Sequence, residues 1–266
     1  MIKKAVVIAL SSSVLLTSSY SLAANVDAAV AKKAAIVSKL HKKAKKALVN
    51  AAQDKSYADF VAASKNDRPQ LQGRVDTVSL NVQKKFQVEE MCLIDANGPE
   101  LARIVGQEIA NDLSPDESGA VFFKPGFDAK PRTVHVSPVY MSPDANKWVL
   151  AYVSPIVVDG DKKAILHYEH GLAVFQDALN KGVKGERMIA VSDEGYVISD
   201  SSAAIGIDKV GDTEQQADYF KPFSFGGMDL AGVTAALDSK QALTHEGKSY
   251  AGAYKKVGNW TLLAFE

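Results

Sequence analysis

Length, composition and charge place the chain among globular proteins of one large domain or two small ones. Its 266 residues are 47% hydrophobic and 23% charged, which supplies a core and excludes an intrinsically disordered chain. Its formal net charge is zero, so no global basic excess points to a nucleic-acid partner. Cys92 is the only cysteine, so no intramolecular disulfide can form, and we expect this residue to be a small buried hydrophobe.

Residues 1–23 have the features of a cleaved signal peptide. A basic start at Lys3 and Lys4 precedes an apolar stretch to Leu16, and small residues precede Ala24. The apolar stretch is shorter than the roughly 20 residues that a membrane span needs. We therefore expect a soluble protein secreted into a bacterial periplasm, with an uncleaved N-terminal membrane anchor as the less favoured alternative. Cleavage would lower the basic count from 31 to 29, against 31 acidic residues.

Residues 24–66 are predicted to form one long N-terminal helix. The stretch contains no Pro or Gly, is rich in Ala, Lys and Leu, and repeats apolar residues at steps of three and four. Residues 31–46 hold seven lysines and no acid. They fit either an anionic partner or a solvated helix face, and their spacing by alanines rather than aromatic residues favours the solvated face.

Residues 67–182 are predicted to form the first of two similar modules. A strand over 88–95 leads into an Asp-x-Asn-Gly turn, and 100–113 reads either as a short helix or as a strand followed by a helix. Tight turns then join three strands, and a helical pattern follows at the end of the module. The strands are predicted at 133–140, 147–157 and 163–168, and the helix at 171–180.

Residues 183–266 are predicted to repeat this plan more compactly. A strand over 188–192, an acidic turn at Asp193 and a second strand come first. A loop-and-helix region then extends to about 237, and two strands at 249–255 and 260–265 end the chain. The predicted fold class is therefore α+β, with a long N-terminal helix followed by two tandem modules that have antiparallel sheets.

Few residues carry recognisable chemistry. If 167–170 is a strand, His167 and Glu169 share one face. Two ligands on one face are fewer than a transition metal requires, so we expect no metal. The sequence contains no Gly-x-Ser-x-Gly elbow, phosphate loop or dinucleotide fingerprint, so we also expect no cofactor and no enzyme activity. Aromatic residues are more suggestive, because they fit either a core or the wall of a pocket. They are Phe122, Phe123, Phe127, Tyr140, Trp148 and Tyr152.

Several segments resemble the double Cache family. They are "DANG", "DLSPDESGAVFF", "VSPVYMSPDANKWVLAYVSPI" and "AILHYEHGLAVF", within a resemblance that covers about 26–266. The resemblance implies an extracytoplasmic ligand-sensing domain, in which two PAS-like modules are stacked on the long helix and small ligands bind in the membrane-distal first module. Family members usually continue into a membrane span and a signalling output. Since this chain ends at Glu266, the resemblance implies a separate partner, such as a membrane receptor or transporter.

The resemblance also implies a set of ligand-binding residues. In the amino-acid-binding branch, an Arg and a Trp-Tyr pair hold the ligand carboxylate, while a Tyr and acidic residues hold its ammonium. By position, the aromatic pair falls on Phe122 and Phe123, but the Arg falls near Ala120 and one acid falls on Ser142. The expected ligand-binding residues are Phe122, Phe123, Arg132, Tyr140, Trp148, Tyr152, His167 and Glu169.

The departures from that motif indicate the kind of ligand. An aromatic box with one acid suits an amine or a neutral polar molecule better than an amino acid, because a ligand carboxylate favours a bidentate Arg. The alternative interpretation is a structural or interaction protein that keeps the fold and binds no ligand. Its aromatic residues would then be core, and the lysine-rich helix would be its working surface.

Overall fold

The structure, a computed structural model, describes residues 13–86, 89–206 and 219–266. For residues 13–23 and Phe86 it describes the backbone alone. Residues 1–12 of the predicted signal peptide lie outside the described residues, so this peptide stays a prediction. Among the described residues, no helix combines the length and the hydropathy that a membrane span requires.

The N-terminal segment is helical but is not one helix. Helix α1 spans Ser13–Ala52, and a second helix, α2, spans Lys55–Ala62. The prediction of a single helix through residue 66 is therefore wrong. The break occurs at Asp54, whose extended backbone and side-chain bond from the Ser56 N–H form the N-cap of α2. Helix α3 spans Arg68–Phe86, and Pro69 lies in its first turn, where a missing N–H costs nothing.

A six-stranded antiparallel sheet follows the helices, in the order β3-β2-β1-β6-β5-β4. The helix expected within 100–113 is wrong, because Gly106 has a φ of 59° and turns the chain into a hairpin of two strands instead. A short helix, α4, spans Phe123–Asp128, and α5 spans Leu172–Asn180. The strands are β1 (Glu90–Asp95), β2 (Glu100–Val105), β3 (Glu108–Ala110), β4 (His135–Ser142), β5 (Lys147–Val158) and β6 (Asp161–Gly171).

The two faces of this sheet have different neighbours. Side chains such as Leu93, Leu150 and Tyr168 belong to the core that includes α1, and the Tyr168 hydroxyl donates to the Ala44 carbonyl at 2.5 Å. On the opposite face, a smaller apolar cluster that includes Ile165 packs beneath α4. Because side chains alternate along each strand, neighbouring residues of β6 belong to different faces. This alternation decides which residues can reach a ligand.

A second antiparallel sheet has the order β11-β12-β7-β8. Its strands are β7 (Arg187–Ser192), β8 (Val197–Asp200), β11 (Gly252–Val257) and β12 (Trp260–Phe265), accompanied by helix α6 (Leu230–Asp238) and the hairpin β9 (Leu243–His245) and β10 (Lys248–Tyr250). Helix α1 contacts both sheets, through β5 and β6 in the first and through β11 and β12 in the second. The predicted α+β class, with a long N-terminal helix and two antiparallel sheets, is confirmed.

Candidate functional site

A pocket of about 260 Å³ opens on the α4 face of the first sheet. The loop before α4 covers one side of it, and strands β1, β2, β4 and β6 supply the others. This volume lies just below the range of drug-sized ligand sites, so it suits a small molecule. The acidic and aromatic lining residues are Glu90, Glu100, Glu117, Phe122, Tyr140, Asp144, His167 and Glu169.

Three rings form one wall of the pocket. Phe122 stacks on His167, with ring centroids 4.0 Å apart and an interplanar angle of 20°, and its ring centroid lies 5.8 Å from that of Tyr140. The Tyr140 hydroxyl donates to Glu169 Oε1 at 2.5 Å and lies 3.1 Å from His167 Nε2. Since the hydroxyl proton goes to Glu169, the bond to His167 requires Nε2–H as its donor. Burial lowers the pKa of His167 to about 3, which keeps the ring neutral at pH 7.

Two buried polar atoms of this wall lack a hydrogen-bond partner of normal geometry, although interactions with Ser142 and Glu90 partly offset the raised pKa of Glu169. They are Glu169 Oε2 and His167 Nδ1, both acceptors in the arrangement described above. A buried polar group left without a partner costs about 1–3 kcal/mol, and native proteins contain few of them. A ligand that donates hydrogen bonds would satisfy these atoms.

The floor of the pocket is acidic. Glu90, Glu100 and Glu169 are only 4%, 6% and 2% exposed. Burial, followed by the charge of Glu169, raises the pKa of Glu90 to about 9. Burial also raises the pKa of Glu169 to about 7 and that of Glu100 above its usual range. Clustered buried carboxyl groups therefore hold protons here that exposed ones would lose.

One buried cation lies beside the floor. Arg103 donates to Asp112 and Asp144 at 2.8 and 2.9 Å. Its nitrogens approach Glu100 and Glu90 only to 3.6 and 3.9 Å, which is too long for hydrogen bonds. The guanidinium therefore directs its hydrogen bonds to the two aspartates at the rim rather than to the buried glutamates.

Known structures with the same fold exist, although sequence comparison finds no relative. No protein-family model and no curated protein sequence matches the chain. The sensory domain of the Campylobacter jejuni chemoreceptor Tlp3, with isoleucine bound, superposes with a TM-score of 0.72 over 96% of both chains at 14% identity. The fold is that of the double Cache sensory domains. The resemblance read from the sequence motifs is confirmed at the level of the fold.

Two further solved structures share the double Cache fold. A domain of a sensory box/GGDEF family protein from Vibrio parahaemolyticus has a TM-score of 0.69 and 16% identity, over 93% of this chain and 96% of that one. The sensor domain of the V. cholerae histidine kinase DctB has a TM-score of 0.63 and 11% identity, over 94% and 98%. Sensory domains therefore recur among the structures that this chain resembles.

The structure brings four of the eight expected ligand-binding residues together. Phe122, Tyr140, His167 and Glu169 line the pocket of the first module. Ala120, where the resemblance places an arginine, also lines the pocket and offers no charge. These positions agree with the location expected for a double Cache ligand, although the binding roles themselves stay a proposal.

The other four expected ligand-binding residues do not line this pocket. Phe123 belongs to the cluster beneath α4 and stacks on Phe127 rather than lining the pocket. Arg132 is exposed in the turn before β4, with a φ of 63°. Trp148 and Tyr152 pack in the core on the α1 side of the sheet. The reason is alternation along β5, where Ala151 and Val153 are the residues that face the α4 side.

Sequence reasoning missed the acidic floor. Glu90 and Cys92 are two residues apart on β1 and therefore share one face of the sheet, so the alternation of the strand could have predicted them. The position of Glu100 could not be predicted from strand alternation, because a bulge between Leu93 and Ile94 shifts the register and sets Glu100 opposite Ile94. Sequence spacing does not reveal such a bulge.

A larger groove of about 870 Å³ lies in the second module, between α1 at Ala24 and Asp27, α6 and β11. It is wide open, and its most prominent polar pair is satisfied, since the Tyr254 hydroxyl donates to Asp238 at 3.0 Å. None of its lining side chains, all of them among the described residues, has a buried atom without a partner. By volume alone, this groove would be the better candidate for the ligand-binding site. The buried polar atoms without partners favour the smaller pocket of the first module instead.

Proposed function

We propose that the protein is an extracytoplasmic sensory domain that binds a small organic molecule carrying an ammonium group in the pocket of its first module. The observation that carries the proposal is the unpaired Oε2 of Glu169, buried beside Tyr140 and His167. None of the lining residues, which all belong to the described part of the chain, is Lys or Arg. The pocket therefore offers acceptors and aromatic rings to a cation.

The recognition chemistry follows from these groups. An ammonium has three N–H donors and no acceptor, so it can donate to Glu169 Oε2 and to His167 Nδ1. The rings of Phe122 and Tyr140 lie 5.8 Å apart and can offer their faces to the charge. A charge-assisted hydrogen bond to the buried Glu169 is the strongest single contact that the pocket can make.

The structural comparisons support a small ligand and bear on its type. The Tlp3 sensory domain has been solved with isoleucine and with L-valine, both of which are amino acids. This weighs against the preference for an amine over an amino acid that the sequence suggested. The proposal therefore keeps what the two classes share, an ammonium group.

The proposal extends to the place and manner of action. We place the protein in the periplasm, where binding would order the loop at 119–122 against the sheet and shift the population of conformers that a membrane receptor or transporter recognises.

The alternative is a structural protein without a ligand, in which core side chains would fill the pocket. The unpaired atoms of Glu169 and His167 speak against it.

Thermal unfolding tests the proposal. The protein is unfolded and refolded to remove any retained ligand, treated with a chelator, and then melted against amines, amino acids, organic acids and purines. A ligand at about 100 times its dissociation constant adds about 2.7 kcal/mol to the free energy of unfolding, so the melting temperature rises by a few degrees. We expect shifts from amines or amino acids and none from organic acids.

Two results of this melting experiment would contradict the proposed function. A shift from organic acids alone would contradict an ammonium-binding pocket. No shift from any class, together with no small molecule released by the protein as purified, would favour the structural alternative. The released material is identified by mass spectrometry of the denatured sample.

A further inference from the structure

Three potential metal ligands converge on the floor of the pocket. One carboxylate oxygen each from Glu90 and Glu100 and the sulfur of Cys92 all lie within 4.8 Å of one another. All three residues are buried, and the Cys92 sulfur lies 3.2 Å from Glu90 Oε1. The cluster combines hard oxygen donors with one soft sulfur donor.

The backbone brings these donors together by two independent devices. Glu90 and Cys92 are two residues apart on β1 and therefore project from the same face of the sheet. The bulge at Leu93 and Ile94 shifts β2, so that Glu100 pairs with Ile94 and faces the same side. In an unbroken register Leu101 would face that side instead, and the cluster would lack its third member.

The charges of the cluster are incompletely balanced by the protein. The hydrogen bonds of Arg103 go to Asp112 and Asp144, and its nitrogens lie 3.6 and 3.9 Å from Glu100 and Glu90, so one guanidinium faces four carboxyl groups. Glu90, Glu100 and Glu169 are thus three buried carboxyl groups without a hydrogen-bonded cation. Burying a carboxylate in this way is costly unless a proton or a metal ion accompanies it.

A second observation points to a bound ion. Glu169 lines the same pocket as the cluster, and its Oε2 is buried and without a hydrogen-bond partner. We propose that Glu90, Cys92 and Glu100, with Glu169 as the fourth donor, bind one divalent transition metal ion of the Zn²⁺ type. The ion and the organic ligand proposed above share Glu169, so the metal ion and an ammonium group compete for its Oε2, whereas Glu90, Cys92 and Glu100 serve the ion alone.

The donor set decides the class of metal. Thiolate ligands select Zn²⁺ and related transition metals, whereas Mg²⁺ and Ca²⁺ take oxygen ligands alone. In a tetrahedral zinc site, donor atoms lie roughly 3.5 Å apart. The Cys92 sulfur already lies 3.2 Å from Glu90 Oε1, and the other pairs of these three donors lie within 4.8 Å. As the metal binds, the Cys92 thiol and the carboxyl groups that hold protons, Glu90 among them, release these protons to solvent.

Cobalt and zinc titrations test the site. The protein is purified without an affinity tag, stripped with a chelator and titrated first with Co²⁺, whose bonds to a thiolate give an absorption band in the near ultraviolet. We expect one equivalent of Co²⁺ to produce this band and Zn²⁺ to abolish it, while Mg²⁺ and Ca²⁺ at the same concentrations leave it unchanged. The band reports Cys92 directly, since no other cysteine exists.

Variants localise the ion. Replacing Cys92→Ser should remove the band and weaken Zn²⁺ binding, measured calorimetrically, by at least about tenfold. Glu100→Gln should weaken it comparably. Glu194→Gln, an exposed acid in a turn of the second module, is the matched control and should change neither measurement.

The proposal is overturned by either of two results. One is a wild-type protein that gives no thiolate band at saturating Co²⁺, a result that does not depend on any variant folding. The other is Zn²⁺ binding that is equal in wild type and in Cys92→Ser. The ligand panel described above is run in chelator, so a failure of the metal site leaves the test of the organic ligand intact.

Discussion

Replacing Glu169→Gln is expected to weaken the binding of an ammonium-bearing ligand by roughly ten- to a hundredfold. A hydrogen bond to a charged group contributes about 1.5–3 kcal/mol, and each 1.4 kcal/mol corresponds to a factor of ten. Gln keeps the size of the side chain and an oxygen that can accept from Tyr140. The substitution therefore removes the negative charge with little change of shape. Calorimetric titration of the ligand found in the thermal panel measures the effect.

The matched control is Glu108→Gln. Glu108 is an exposed acid of the same module, on the edge strand β3, and does not line the pocket. Its replacement should leave the affinity unchanged. Equal affinities of wild type and Glu169→Gln would remove Glu169 as the partner of the ligand's charge.

His41 is expected to lower the free energy of unfolding by about 2 kcal/mol as the pH falls from 7 to 5. Glu90 and Glu169 contribute with the opposite sign, because their raised pKa values stabilise the folded state as the pH falls. His41 lies on α1, where the helix meets both sheets. Its Nδ1 is 2.6 Å from the Tyr152 hydroxyl, and its ring contacts Phe175 and Trp260. Burial, with smaller effects from the charges of Lys45 and His170, lowers its pKa to about 4.

The sign follows from the lowered pKa of His41. In the unfolded chain the imidazole takes up its proton near pH 6.5, whereas the folded protein resists protonation until about pH 4. Within this window the unfolded state binds more protons, so acid favours unfolding. The stabilisation is complete above pH 6.5 and is lost as the pH falls through the window.

Denaturant unfolding of His41→Asn at pH 7 and pH 5 measures the contribution. Asn keeps a polar atom near the position of Nδ1 but cannot take up a proton, so between pH 7 and pH 5 the free energy of unfolding of the variant should rise by about 2 kcal/mol relative to that of wild type. His245→Asn, in the second module, is the control and should keep the wild-type dependence. A pH dependence that is the same in His41→Asn and wild type would contradict the burial of a neutral His41.

Several elements could be predicted from sequence because their signals are local. The three strands of the first module after residue 130 were found from their apolar runs and the turns between them, and the structure confirms them. The break in the N-terminal helix was missed because Asp54 is tolerated inside a helix by composition alone. The new helix starts there because Asp54 caps it, and its Tyr57 and Phe60 pack into the core.

The site was predicted in part for the same reason. His167 and Glu169 follow the alternation of one strand, which requires no knowledge of the fold. Trp148 and Tyr152 were misplaced because the sequence does not say which face of β5 covers the pocket. That is decided by pairing, which sets Ala151 opposite Glu169 and Val153 opposite His167.

The features that could not be predicted from sequence depend on contacts between distant segments. The helix expected within 100–113 was wrong because Gly106, at positive φ, turns the chain into a hairpin. That hairpin, together with the bulge in β1, sets the position of Glu100. The acidic floor of the pocket therefore emerges only when the strands are paired.

A crystal structure with the ligand identified in the thermal panel tests the central claim most directly. We expect the ligand to lie in the pocket beneath the loop at 119–122, with its ammonium nitrogen about 2.7–3.2 Å from Glu169 Oε2. A ligand found instead in the open groove between α1, α6 and β11, or in the pocket with no polar contact to Glu169, would contradict it.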